Sequence, residues 1–191
     1  MDVTLKRRAI FLDRDGVINE NRPDHVKNWN EFIFLSRTKD ALRRIATSDF
    51  LAVVTTNQSG VHRGVFDERT LRNIHTRMSN AIVRAGGRVD AVFYCPHLPN
   101  ENCDCRKPRT GMYHQAADKW GVDFARSYVI GDAMVDVQAA QSIGSTPILV
   151  LTGRGEGQHE RLIETNHSDF QVANDLWDAV EWIWQREKIL G

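Results

Sequence analysis

The chain has 191 residues, 41% of them hydrophobic and 26% charged, enough for one well-packed core and short for two independent ones. Lys+Arg and Asp+Glu both number 25, so there is no broad charge to draw the protein to nucleic acid or an acidic membrane; an anionic ligand must be met by basic groups placed locally. No apolar run reaches membrane-spanning length and the opening MDVTLKRRAIFLDRDG lacks the pattern of a secretory signal, so the expectation is a single-domain cytoplasmic protein over residues 1–191.

Short β-branched runs alternate with amphipathic stretches, the pattern of a three-layer, Rossmann-like α/β fold with a parallel sheet covered on both faces. A first strand is expected at Ala9–Leu12, ending on Asp13, followed by a helix over Thr38–Thr47 with Ala41, Leu42 and Ile45 inward. The second strand runs Leu51–Thr55 and ends at Thr56-Asn57. The next helix begins near the N-cap Asp67, sets Leu71, Ile74, Met78, Ile82 and Ala85 on one face, and stops at Gly86-Gly87. A third strand, Ala91–Tyr94, leads into a cysteine cluster. Helices over Thr110–Trp120 and Ala133–Ile143 bracket a strand at Ser127–Ile130; a fifth strand covers Pro147–Leu151, and a last helix Asp175–Lys188 turns Leu176, Val180, Ile183 and Trp184 inward. There is no internal repeat or low-complexity segment.

Asp13, Thr56 and Asp132 each follow a different strand, at the edge where an open parallel sheet binds ligands. In FLDRDGVIN, Asp13 and Asp15 can reach one site, one carboxylate to attack and one to move protons, with Gly16 permitting the sharp turn that follows. Phosphate esters repel anionic nucleophiles, so carboxylate attack needs a neutralising cation; Mg²⁺ is the hard, oxygen-loving choice, and Asp132 supplies it a further carboxylate. Thr56 in TTNQSG and Lys107 in CRKP are suited to hold phosphoryl oxygens. Cys95, His97, Cys103 and Cys105 offer four thiolate or imidazole ligands, a closed tetrahedral shell for a structural Zn²⁺ that would pin the loop before Arg106 and Lys107.

The series DRDG, TNQSG, RKP and GD, from about Arg8 to Gly155, resembles the haloacid dehalogenase (HAD) superfamily of phosphatases. The resemblance implies that Asp13 forms an aspartyl-phosphate, that Asp15 protonates the leaving oxygen and then activates water, and that Thr56 and Lys107 hold the phosphoryl group. It also implies Mg²⁺ held by Asp13, the Asp15 backbone carbonyl and Asp132. The Cys/His loop resembles that of the zinc-bearing, small-cap branch, whose members act on heptose 1,7-bisphosphate or histidinol phosphate, with a site open to solvent and shaped by loops. The stretches NRPDHVKNWNEF, TTNQSGVHRG, CRKPRTGM and LTGRGE are similar to the heptose members. By that similarity Asn19, Asn21, Arg22, Asp24, His25, Asn57, Gln58, Ser59 and Arg106 would contact a small-molecule sugar bisphosphate, with the planar fork of Arg106 on the unreacted phosphate.

The alternative is histidinol phosphate or another small ester. The loop between His97 and Cys103 has the shorter, histidinol-phosphate form, and Ala133 stands where heptose members carry a basic residue, leaving His62 and Arg63 as compensating cations. Asp136, one helical turn after Asp132, lies either behind the metal's ligands or on the helix surface. A non-catalytic zinc-stabilised binding module would be expected to lose Asp13 or Asp15, and both are present. No nucleic-acid or membrane partner is expected, and the protein is read as a monomer.

Overall fold

The structure, a computed structural model, describes residues 6–164 and 169–190; the beginning of the opening stretch read against a secretory signal lies outside them. Among the described residues, strands β1 (Ala9–Leu12), β2 (Leu51–Asn57), β3 (Ala91–Cys95), β4 (Tyr128–Gly131), β5 (Thr146–Val150) and β6 (Gln171–Ala173) form one sheet in the order β3-β2-β1-β4-β5-β6. Every pairing is parallel. The helices are α1 (Thr38–Ala46), α2 (Glu68–Arg84), α3 (Gly111–Trp120), α4 (Met134–Ser142), α5 (Gly155–Glu164) and α6 (Leu176–Leu190).

The central strand shows why the molecule has three layers. Alternate side chains of a strand point to opposite faces. Ile10 and Leu12 enter a core cluster with Leu42, Ile45, Ile74, Met78 and Ile183, from α1, α2 and α6. Ala9 and Phe11 enter another with Tyr113, Ala116, Ala139 and Ala140, from α3 and α4. Leu149 and Leu162 extend that second layer to α5. Ile10, Phe11 and Leu12 are wholly buried, worth roughly 1.5–3 kcal/mol each, enough to hold the strand end in place although it carries an anion among other anions.

The strand order reverses between β1 and β4, and at such a switch point a crevice opens beyond the strand ends. Asp13 sits there, its backbone N–H bonded to Ile130 O of β4 at 2.9 Å. β2 is longer than expected, because the ladder to β3 continues through Thr56↔Tyr94 and Asn57↔Cys95. Thr56 and Asn57 are therefore strand residues, and Cys95 closes its strand rather than opening the loop. α5 and β6 extend the expected element list: one carries Gly155 and Gly157, poor helix formers, and the other is a three-residue edge strand. Between β1 and α1 the chain forms a short flap with a 3₁₀ turn at Trp29–Glu31, its rings Trp29 and Phe32 stacked at 5.0 Å. Among the described residues no insertion of domain size covers the crevice.

Candidate active site

The floor of the crevice is built on buried charge. Lys107 Nζ lies 2.9 Å from Asp13 Oδ1 and 2.6 Å from Asp136 Oδ1, and it donates to Thr55 O at 2.8 Å. Burial lowers the lysine's affinity for its proton, but Asp13 and Asp136 reverse that and hold it protonated. Asp13, Asp132 and Asp136 each present an oxygen within 4.8 Å of the others. Asp13 Oδ1 and Asp136 Oδ2 are buried without a hydrogen-bond partner, so the 2.9 Å contact of Lys107 with Asp13 is an ion pair and not a directed bond. Burial above all raises the pKa of Asp132 and of Asp136; neighbouring carboxylates add to it, against the opposing pull of Arg154 on the first and Lys107 on the second. Three carboxylates beside Lys107 and Arg154 still leave negative charge in excess, and an all-oxygen donor set of that kind suits a hard divalent cation. Asp136, which the sequence left between two placements, is thus buried beside the centre.

Gly16 is what lets the chain pass. Its φ is +88°, and a Cβ there would lie 2.1 Å from Asp132 Oδ2. The same turn brings Asp15 back over the floor. Its carboxylate accepts from Arg14 at 2.8 and 2.9 Å, from Asn19 Nδ2 at 2.8 Å and from Gln58 Nε2 at 2.7 Å. Burial pushes its pKa up, yet Arg14 and these amides outweigh burial and hold it below the ordinary value. Arg14 is itself wholly buried, and its other terminal nitrogen meets His75 Nε2 at 3.1 Å. Arginine has no acceptor, so His75 is neutral there with its proton on Nδ1; burial and Arg14 lower its pKa to about 3. Neither Arg14 nor His75 was singled out from the sequence, where nothing marks a histidine on a helix as an arginine's partner.

A cavity of about 640 Å³ opens above, lined by Asp13, Asp15, Thr56 and Lys107 on the floor and by Asn21, Arg22, His25, Asn57, Ser59, Arg106, Arg109 and Arg154 around it. Three of the expected substrate contacts are placed otherwise. Asn19 is wholly buried and Gln58 2% exposed, and their amides hold Asp15. Asp24 points outward to Lys27 and Arg22. Asn57 lines the cavity, but its amide is spent on the Lys107 backbone, accepting from N at 3.1 Å and donating to O at 3.2 Å. Arg106 is tied by one nitrogen to His97 O at 3.0 Å. His62 pairs with Glu101 at 3.0 Å rather than turning to the cavity. Ala133 is buried as the N-cap of α4, and the cation against Asp132 is Arg154 from the loop after β5.

Beside the cavity, Cys95, His97, Cys103 and Cys105 converge. Cys95 Sγ lies 3.7 Å from Cys103 Sγ and 3.5 Å from His97 Nδ1, which is 3.3 Å from Cys105 Sγ. These spacings are far from a disulfide; they match the edges of a tetrahedron with metal–sulfur bonds of about 2.3 Å.

A buried carboxylate just past β1, a lysine opposite it, and further acids after β4 and on α4, all at the switch point of this sheet, are the arrangement of a hydrolase of the HAD type. Residues 104–179 match the family described as HAD-hydrolase-like. The chain is 45% identical over 148 residues to the D-glycero-β-D-manno-heptose-1,7-bisphosphate 7-phosphatase of Bordetella bronchiseptica, covering 78% of this chain and 83% of that one. It is 35% identical over 181 residues to the enzyme of the same name from Neisseria meningitidis serogroup A, covering 93% and 95%. The crystal structure of D,D-heptose 1,7-bisphosphate phosphatase from B. bronchiseptica, complexed with magnesium and phosphate, superposes with a TM-score of 0.87 at 40% identity, over 94% of this chain and 99% of that one. The chain belongs to the D-glycero-β-D-manno-heptose-1,7-bisphosphate 7-phosphatase family of HAD-like hydrolases.

Proposed function

We propose that the protein removes the 7-phosphate of D-glycero-D-manno-heptose 1,7-bisphosphate through an aspartyl-phosphate on Asp13. The carrying observation is Asp13 itself, buried against Lys107 on the floor of a cavity whose wall bears Arg22, Arg106, Arg109 and Arg154. A bisphosphate brings two anions, and a floor lysine with a ring of arginines provides for both. Relatives of the same name over nearly the whole chain support the substrate.

A carboxylate oxygen of Asp13 attacks phosphorus, the P–O bond to the sugar breaks, and Asp15 gives its proton to the departing oxygen. Water then attacks the aspartyl-phosphate, Asp15 takes the water's proton, and the bond from Asp13 to phosphorus breaks to release inorganic phosphate. In the seat described here Asp15 is a carboxylate paired with Arg14, ready as a base. Donating a proton requires it to arrive protonated and to turn from that pair. Lys107, held by Thr55 O and Asp136, keeps its charge against the phosphoryl oxygens, and Thr56 faces the same space. A divalent cation, Mg²⁺ as in the B. bronchiseptica structure, would be held by Asp13, Asp132 and the Asp15 backbone carbonyl, and supplies charge neutralisation between nucleophile and ester. Zn²⁺ at Cys95, His97, Cys103 and Cys105 would be structural, since four protein ligands leave it no open position. Free cysteines in such a loop fit a reducing cytoplasm, and among the described residues the exposed large apolar side chains Ile33, Val65, Val83 and Ile163 come from separate stretches of the chain, which suits a monomer.

The test is phosphate release, with Mg²⁺, from heptose 1,7-bisphosphate and histidinol phosphate side by side, with Asp13→Asn as the control. Preference for the bisphosphate, lost in Asp13→Asn, is expected. Preference for histidinol phosphate would overturn the substrate, and release that survives Asp13→Asn would overturn the mechanism.

A further inference from the structure

Arg154 occupies a position that neither the nucleophile nor the proton carrier explains. It follows β5, and its guanidinium covers Asp132: Nε lies 3.4 Å from Oδ2 and a terminal nitrogen 3.1 Å from Oδ1. Both oxygens of a wholly buried carboxylate are thereby engaged, while the arginine side chain is 53% exposed and lines the cavity. Lys107 is different: it is 2% exposed and tied to three groups. Among the described residues the guanidinium of Arg154 makes its direct contacts with Asp132 alone, Asp13 and Asp136 attracting it from further off, and its side chain is half exposed.

The loop does not depend on that side chain. The Arg154 backbone N–H donates to Asp132 Oδ2 at 2.9 Å, and Thr152 Oγ1 donates to Gly16 O at 2.6 Å. Gly153, at φ +63°, packs so closely that a Cβ would lie 2.4 Å from Asp132 Oδ2. The peptide chain is locked against the site and the guanidinium alone is free to turn. Asp132 also offers an oxygen to the cluster it forms with Asp13 and Asp136. A divalent ion bound there at about 2.1 Å would share one carboxylate with the guanidinium, and two cations on one anion repel. The ion carries the greater charge and has Asp13 as a second anchor, so the guanidinium is the partner that yields.

We propose that Arg154 is an exchangeable counter-cation: it pairs with Asp132 until a divalent cation takes that carboxylate, and the freed guanidinium then turns into the cavity to bind an anionic oxygen of the phosphorylated substrate. Metal and substrate anion thereby favour one another through a single side chain, and the coupling is reciprocal. The proposal rests on the reading of Asp132 as a metal ligand, and the experiment separates the two.

Mg²⁺ is titrated calorimetrically into the wild type, Arg154→Ala, Arg154→Lys and Asp132→Asn, each with and without inorganic phosphate. Removing a half-exposed guanidinium is expected to tighten Mg²⁺ binding about tenfold in the absence of phosphate, and to weaken phosphate binding at saturating Mg²⁺ by about the same factor. Arg154→Lys, a point charge that cannot span both oxygens, should fall between. Mg²⁺ affinity that is unchanged or weaker in Arg154→Ala overturns the exchange. Tighter Mg²⁺ with unaltered phosphate affinity overturns the transfer to substrate. Wild-type Mg²⁺ affinity in Asp132→Asn overturns the metal-ligand reading itself, and the exchange with it.

Discussion

The strand-end centre and the cysteine loop stand side by side, joined through Arg106 and Lys107, yet they are held by different means. Asp13, Lys107, Asp132 and Asp136 are all at most 6% exposed: Asp13 and Asp132 directly follow buried strands, Asp136 is on α4, and Lys107, from the turn after the cysteine loop, is anchored on Asp13, Asp136 and Thr55 O. In the loop, Cys95 belongs to β3 and is wholly buried, but His97, Cys103 and Cys105 are only half-buried and lie outside any helix or strand. The first region can hold like charges close because the hydrophobic core fixes the strand ends. The second has no core of its own, and its four converging Cys/His ligands are what a metal could use to fix its shape.

That contrast can be broken at several points. The largest effect is expected at Asp13→Asn, which should cut phosphate release by at least about a thousandfold while far-UV circular dichroism and Tm stay near wild type. Loss of fold instead would mean that the carboxylate is structural. Next is Lys107→Met, which leaves two buried carboxylates, Asp13 and Asp136, without their lysine; denaturant unfolding should show a loss of about 3–5 kcal/mol, with activity abolished. Unchanged stability would show that water reaches the floor freely.

Acid should act on the sheet side in a defined direction. His75 is held neutral with a folded pKa of about 3 against an ordinary 6.5, so its contribution is complete above pH 6.5 and is lost as pH falls toward 3, by roughly 4–5 kcal/mol at most. His75→Gln, which avoids that protonation, should flatten the decline of unfolding free energy over this window; an equal decline in both proteins would remove His75 from the account. The smallest effect belongs to the loop. Cys103→Ser, assayed in excess Mg²⁺, should lower kcat/KM about 10–100-fold by loosening Arg106 and Lys107, with loss of bound zinc by elemental analysis and a modest change in Tm. Global unfolding of that variant would erase the distinction between the two regions.

Both regions were legible in the sequence, for opposite reasons. The loop announces itself locally, since C-x-H and C-x-C within eleven residues already crowd the ligands. The centre was legible only jointly, as polar residues recurring at the ends of apolar runs that a parallel sheet must align. What escaped was direction. Asn19, Gln58 and Asn57 were expected on the substrate, but two hold Asp15 and the third pins Lys107, because a short amide reads the same whether it faces a cavity or a neighbouring residue. α5 escaped because Gly155 and Gly157 in its first turn argue against a helix, and β6 because a three-residue strand gives little periodicity to read.

The sequence by itself determined the alternation of strands and helices, the carboxylate pair at the end of β1, the acid at the end of β4 and the four soft ligands. Each is a matter of residue type at a spacing, and hydrophobic burial does the rest. Tertiary structure alone decided that Arg154 from the loop after β5 would close on Asp132, that Asp136 would turn inward to Lys107, and that Arg14 would be buried between Asp15 and His75. The first two are meetings of charges 22 and 29 residues apart, and the third seats Arg14 against a neutral histidine 61 residues on. All are set by where the fold brings the loops and helices, and interaction energy depends on distance in space and not on the order of residues.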